Sequence, residues 1–390
     1  MPGGILPAQH LRRAIDDGSV AAASPIPDSN VQPASLDLRL GARAYALRCS
    51  FLPDRDSTIE DKLRDLVLNE FDIRNGAVLE RNRPYLIPLQ ERLDLPVGLR
   101  ARANPKSSTG RLDIFARAIS ERNFRFDAVP TGYAGPLFLE VVSRSFAVRV
   151  HEGLTLNQIR LIEGDARCSD ADILPMHDRA PLLHADNVPI DAEDLAIADG
   201  LFLSVDLDRG QEHVGYRAKP NAPLLDLARI GEYEADAFWD PVYAAAGRII
   251  LQPEDFYLLI SQEGVQIPPW LGAEMTAYDP TAGELRTHYA GFFDPGFGFD
   301  REGRRQGARA VLEVRARDVP FMVEHGQRIC KLGFERMLEE PDVVYGEGIG
   351  SSYQYQELTL SKHFRMHAEG ATAQLSLAGA AAGGATKPAG

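Results

Sequence analysis

Cysteine is scarce in this chain: three residues in 390, at Cys49, Cys168 and Cys330. An odd, scattered set excludes a disulfide framework and favours a reducing compartment, the cytoplasm. Long apolar runs are also missing. None approaches the ~20 residues a membrane-spanning helix needs. The first eleven residues carry no basic stretch followed by an apolar core, so no secretory signal is expected. Basic residues are outnumbered, with 42 Lys and Arg against 56 Asp and Glu, a net charge of −14. That balance disfavours a nucleic-acid polymer, whose binding is driven by phosphate neutralisation. A single nucleotide needs only a local cationic pocket and stays open. Zinc-site spacings are absent too: there is no Cys-x-x-Cys, and no His-x-Glu followed by Pro-Cys-x-x-Cys. A Gly-x-Ser-x-Gly elbow and a Walker loop are equally lacking.

What is present is a repeat. Gly135–Val141 reads Gly-Pro-Leu-Phe-Leu-Glu-Val, and Ala308–Val314 reads Ala-Arg-Ala-Val-Leu-Glu-Val. Glu140 and Glu313 lie 313 − 140 = 173 positions apart. The same offset joins Pro96 to Pro269, Gly110 to Gly283, Leu139 to Leu312, Val150 to Val323 and Gly153 to Gly326. A tandem duplication is the natural reading. Ser35–Leu38 also echoes Ser204–Leu207, at 204 − 35 = 169.

Short apolar runs punctuated by Gly, Pro, Asp and Asn predict a mainly β chain. The exceptions are a short N-terminal helix over residues 5–17 and a second helical stretch over Thr58–Glu70. The expected organisation is a first repeat over 1–165, a connector over 166–199, a second repeat over 200–340, a C-terminal segment over 341–365 and a disordered Ala/Gly-rich tail over 366–390.

Asn104-Pro-Lys-Ser-Ser-Thr-Gly-Arg111 concentrates hydroxyls, two cations and a glycine after a predicted strand. Hydroxyls and turn N–H groups suit phosphate, and Lys106 and Arg111 supply charge; a polar surface turn would look much the same. The second copy reads Asp279-Pro-Thr-Ala-Gly-Glu284 at the matching place, with acids where the cations stood. One copy can therefore hold an anion that the other repels. Glu140 lies in an otherwise apolar strand. Buried, it would carry a raised pKa fit for proton transfer; on a solvent face it would be inert. Thr131-Gly-Tyr-Ala-Gly135 turns into that strand. In the second copy His288–Gly298 sets aromatics beside glycines, either to stack a flat base or to fill a β core.

Three of these segments, in order, resemble the motifs of the dCTP deaminase family of the trimeric dUTPase superfamily: Gln32–Gly41, Lys106–Arg111 and Gly132–Glu140. The doubled length resembles the long two-repeat form. The resemblance implies two tandem dUTPase-like distorted β-barrels (the β-clip fold) and hydrolytic deamination of dCTP to dUTP without zinc. It also implies Mg²⁺ accompanying the triphosphate, and homo-oligomers, a trimer or stacked trimeric rings, with sites at interfaces. By resemblance Lys106, Ser107 and Ser108 hold phosphates, Arg111 supports the catalytic carboxylate, and Glu140 activates water, with Glu313 as second choice. Tyr133 is a further substrate-binding candidate. Tyr353 and Gln356, within Ser351-Ser-Tyr-Gln-Tyr-Gln356, belong to a closing segment. Asp-Pro-Gly, which opens the family's base-binding turn, occurs only in the second copy, making Ala290, Gly291 and Asp294 candidates there. The spacing from turn to carboxylate favours Glu140: 140 − 132 = 8 in the first copy against 313 − 296 = 17 in the second. A composite site, phosphates on one repeat and base on the other, is the open alternative. A dUTP diphosphatase, a bifunctional enzyme and a non-catalytic nucleotide-binding regulator are the rival functions.

Overall fold

A computed structural model describes residues 3–210, 212–277, 285–287, 291–300, 307–346, 353–354 and 357–365. Gln356, Ala290, the acidic 279–284 stretch and the tail from 366 lie outside the described residues. Within them the chain is mainly β, arranged as two β-barrel halves.

The two halves are built on the same ladders. Ala134–Ser143, the Glu140 strand, pairs antiparallel with Tyr85–Asp94, placing Glu140 opposite Leu86. Ala308–Ala316, the Glu313 strand, pairs antiparallel with Phe256–Val265, placing Glu313 opposite Leu258. A second ladder repeats as closely. Thr155–Glu163 pairs with Leu99–Pro105, and Arg328–Arg336 pairs with Leu271–Ala277. Side chains in a strand alternate between faces, so a one-residue slip would expose each buried apolar set. That penalty holds each half in its register.

Pairing corrects the 169-residue echo. Leu38 lies opposite Asn157 and Leu203 opposite Cys330. Leu203, and not Leu207, is therefore the counterpart of Leu38. A four-residue alternating pattern recurs too easily in β chains to fix an alignment.

The helices are shorter than their apolar spacing suggests. The N-terminal one spans Ala8–Asp16, with Leu11 and Ala14 turned into the core. The second spans Ile59–Leu66, behind a capping box in which Thr58 and Asp61 satisfy each other's backbone N–H. It stops at Leu66 because Val67–Asp72 leaves to pair with Arg43–Leu47. Tertiary pairing overrides helical periodicity over the last four residues of the expected span. The 166–199 stretch, read as a connector, is folded: it carries a helix over Asp170–Arg179 and a strand over Leu183–Ala185 that pairs with the Phe256–Val265 strand. Leu182 and Leu183 are buried in the second half's core, which removes any freedom a linker would have.

The halves do not merely touch. Leu225–Asp226 of the second half adds in parallel to Val148–Val150 of the first. Phe146 of the first half meets Phe238 and Trp239 of the second at ring-centroid distances of 5.6 and 5.3 Å. Phe364, near the chain's end, closes the cluster at 5.3 Å from Phe238. Phe146, Phe238, Trp239 and Phe364 are all buried. Each such ring contributes roughly 2–3 kcal/mol through burial alone, so the halves are locked together by a common core.

Candidate functional site

The phosphate motif folds as a single helical turn, Ser107–Gly110, at the end of strand Leu99–Pro105. Lys106 stands before it in extended conformation and accepts at its carbonyl from the N–H groups of Thr109 and Gly110, at 2.8 and 3.0 Å. The Lys106 ammonium is ion-paired with Asp37 and lies 3.3 Å from Thr155 Oγ1. Burial pushes the Asp37 carboxyl up while Lys106 pulls it down. Asp37 lies inside the Gln32–Gly41 motif, so the first two motifs meet in space.

The second half supplies the other wall. Asn104 Oδ1 accepts from the Gly291 N–H at 2.9 Å, and Asn104 Nδ2 donates to Glu274 Oε1 at 3.1 Å. Gly291 has φ +93°, and a Cβ there would stand 3.1 Å from Ser107 Oγ. Only glycine combines that backbone with so close an approach. The base-binding turn proposed for the second copy thus sits against the phosphate helix of the first.

Asp294, in the same turn, is held by Arg160 of the first half. This fully buried guanidinium donates to Asp294 Oδ1 at 3.0 Å, to Phe293 C=O at 2.9 Å and to Ala273 C=O at 3.1 Å. It also lies 3.9 Å from the centre of the Phe292 ring. Replacing Arg160 by leucine should destabilise the fold by about 3–5 kcal/mol, because it strands a buried carboxylate. Urea unfolding checks this; a midpoint unchanged from the parent's would refute the role assigned to the pair. Sequence reading passed over Arg160, because in Thr155–Glu163 it follows Asn157 and Gln158 and reads as one polar residue among several.

Glu313 is buried and packs on Gly110: a Cβ on that glycine would lie 2.4 and 2.6 Å from the two carboxylate oxygens. Burial drives its pKa well above the ordinary 4.5; nearby Arg111 works against this and Asp113 adds to it. Arg111 is itself buried. It lies 3.8 Å from the centre of the Tyr353 ring, and its Nη1 donates to Thr359 C=O at 2.7 Å.

Glu140 has a different surrounding. Its strand lies beside Ile114–Ser120 with Arg117 directly opposite, and the two form an ion pair. Arg117 lies 4.0 Å from the centre of the Phe126 ring, and nearby Asp127 is pushed up to about 7 by burial. Arg111 is thus brought to Glu313, and Glu140 meets Arg117. The shorter turn-to-carboxylate spacing pointed the other way. The longer interval before Glu313 leaves the Glu313–Leu258 register intact, so it does not move the carboxylate. Tyr133 is also engaged elsewhere: its hydroxyl accepts from Glu121 N–H at 3.1 Å and donates to Pro136 C=O at 2.6 Å, closing its own hairpin.

The C-terminal segment closes over both halves. Gln354 donates to Gly296 C=O at 3.0 Å and accepts from Gly298 N–H at 3.1 Å. Ser361 Oγ donates to Ser108 C=O at 2.8 Å, and the Tyr353 hydroxyl accepts from Lys362 N–H at 3.1 Å. Gln354 was missed beside its neighbours Tyr353 and Gln356, because adjacent Gln and Tyr residues give no sign of which faces inward.

Among the described residues no three His, Cys, Asp or Glu side chains are grouped to hold a metal ion. Asp37, the carboxylate beside the phosphate helix, is already taken by Lys106. These residues suit phosphates and do not form a cage for Mg²⁺. No helix among the described residues is long and apolar enough to cross a membrane.

Comparison with known proteins agrees with the fold. Residues 2–165 match a family model described as 2'-deoxycytidine 5'-triphosphate deaminase N-terminal domain, and residues 169–364 match the corresponding C-terminal domain. The crystal structure of 2'-deoxycytidine 5'-triphosphate deaminase from Agrobacterium tumefaciens superposes with a TM-score of 0.83 at 42% identity, covering 90% of this chain and 100% of that one. A dCTP deaminase of Natronomonas pharaonis is 30% identical over 192 residues, 48% of this chain and 89% of the relative. A protein of Halobacterium salinarum named "dCTP deaminase, dUMP-forming" is 30% identical over 174 residues, 43% of this chain and 81% of the relative.

Proposed function

The chain belongs to the 2'-deoxycytidine 5'-triphosphate deaminase family, and on that footing we propose that it hydrolyses dCTP to dUTP and ammonia at one site built between its halves. The observation that carries the reading is the seat of Glu313 on Gly110, beside Arg111. Phosphate-binding residues of one copy and a proton-hungry carboxylate of the other meet within a single chain. The shared offset and the matched ladders support descent of both halves from one duplicated barrel.

In this reading Lys106, Ser107 and Ser108 hold the triphosphate, so remote binding energy positions the ring. The turn at Gly291 carries the base, with Asn104 fixing its backbone. Glu313, short of hydration, takes a proton from water as the oxygen attacks C4 of cytosine. The pair displaced from the C4=N3 bond goes to N3, which receives that proton; Glu313 then carries the proton of the new C4–OH group to the exocyclic nitrogen, the C4–N bond to it breaks, and ammonia leaves a uracil ring. Arg111 offsets the negative charge of ionised Glu313 and, with Tyr353 and Thr359, ties the closing segment to the site. Mg²⁺, travelling with the nucleotide, would neutralise phosphate charge.

The relatives named as dUMP-forming support a second reading, in which the same site also removes pyrophosphate. Incubation with dCTP and Mg²⁺, followed by separation of all products, decides. Ammonia and dUTP in equal amounts are expected. Stoichiometric dUMP and pyrophosphate would establish the bifunctional reading, and saturable binding with no ammonia would leave only a regulator.

A further inference from the structure

Two residues beyond Arg111 the chain does something costly. Asp113 adopts φ +58°, the left-handed region that a side chain enters at a price of order 1 kcal/mol or more. It is also fully buried. The backbone there is pinned from both sides: Asp113 N–H donates to Gly110 C=O at 2.8 Å, and its own carbonyl accepts from Arg144 N–H at 3.0 Å. Its carboxylate accepts from Ser145 Oγ at 2.6 Å and is ion-paired with Arg315.

Arg315 belongs to the other half. It lies two residues beyond Glu313 in the same strand, on the same face and about 7 Å along. It too is buried, with Glu254 3.7 Å away as a lesser partner. Two contacts therefore cross the interface side by side. Glu313 rests on Gly110, and Arg315 grips the carboxylate three residues after Gly110. The first contact carries the proposed chemistry and has little directional holding of its own. The second is charged, buried and fixed by three further hydrogen bonds.

We propose that the Asp113–Arg315 pair is a positioning clamp that sets the Glu313 strand on the phosphate helix and so places the Glu313 carboxylate. It touches no substrate atom in this account. The inference rests on Glu313 being the reacting carboxylate. A shift of about 1 Å in a reacting group costs roughly 10²-fold in rate, whereas the phosphate ligands lie on the helix itself and should keep their places.

The test compares the full-length parent, the Asp113→Asn/Arg315→Met double variant and Glu313→Gln by dCTP turnover, KM and urea unfolding. The double variant leaves no unpaired buried charge and is expected to unfold cooperatively. Its kcat should fall about 10²-fold while KM stays within about 3-fold of the parent. A folded double variant with kcat within about 3-fold of the parent overturns the clamp, as does a rise in KM with kcat retained. Should the double variant not fold, Arg315→Lys is judged by the same split, since it keeps the charge but loses the planar fork. Glu313→Gln separates the two ideas. If it turns over normally, the carboxylate assignment fails; if it is inactive while the double variant is fully active, only the clamp fails.

Discussion

Glu313→Gln should lower kcat for dCTP by about 10²–10⁴-fold, the usual contribution of a positioned proton-transfer group, with nucleotide binding retained. Glutamine keeps the shape of the side chain on Gly110 and removes only its basicity. The parent's kcat/KM should fall as pH drops through the Glu313 pKa, because only the ionised carboxylate accepts a proton from water. That limb should lie above the ordinary carboxylate value of 4.5, since burial raises the group. Stability carries the opposite sign. A carboxyl with a raised folded-state pKa favours the fold fully below 4.5 and loses that contribution as pH rises through the folded value. Above that pH the glutamine variant should therefore melt higher than the parent. Glu140→Gln removes the partner of Arg117 instead; it should cost stability and leave turnover near the parent's. Steady-state assays and melting curves on the two variants check all of this. Loss of turnover on changing Glu140 with Glu313→Gln unimpaired would reverse the assignment.

Gly110→Ala should be nearly as damaging, for a steric reason. The added methyl carbon would lie 2.4 and 2.6 Å from the Glu313 oxygens, well inside contact distance. The glycine does not have positive φ, so the backbone accepts alanine without strain. What must yield is the end of a flexible side chain, and the fold should survive. The carboxylate, however, is pushed off its seat by an ångström or more, an error worth about 10²-fold or more in turnover. The expected phenotype is a folded protein that binds dCTP and scarcely deaminates it. Turnover and calorimetric binding on one preparation measure this. Normal turnover would show that Glu313 need not sit on Gly110 for the reaction.

Much of this was legible in the sequence, and for identifiable reasons. Short apolar runs between Gly, Pro, Asp and Asn revealed the strands, because such runs must be buried in a sheet while the punctuating residues turn the chain. The Asn104–Arg111 segment stood out because hydroxyls, cations and glycine rarely coincide in eight residues. The choice between two equivalent carboxylates was not legible. Glu140 and Glu313 sit at the same register of matching ladders, and their partners distinguish them: Arg117 of its own half for Glu140, Arg111 across the interface for Glu313. Spacing along the chain says nothing about an extra loop that leaves a strand in place. Arg160, Asp113 and Arg315 were hidden for a related reason. A buried ion reads like any exposed charge until its partner appears, and each of these partners is more than 130 positions away.

The most direct measurement is a crystal structure of the Glu313→Gln protein with dCTP. The triphosphate is expected on Lys106, Ser107 and Ser108, with the cytosine amino group facing residue 313 beside the Gly291 turn of the same chain. A nucleotide whose ring lies against Arg117 and Glu140, with residue 313 away from it, would overturn the assignment of Glu313 as the reacting carboxylate.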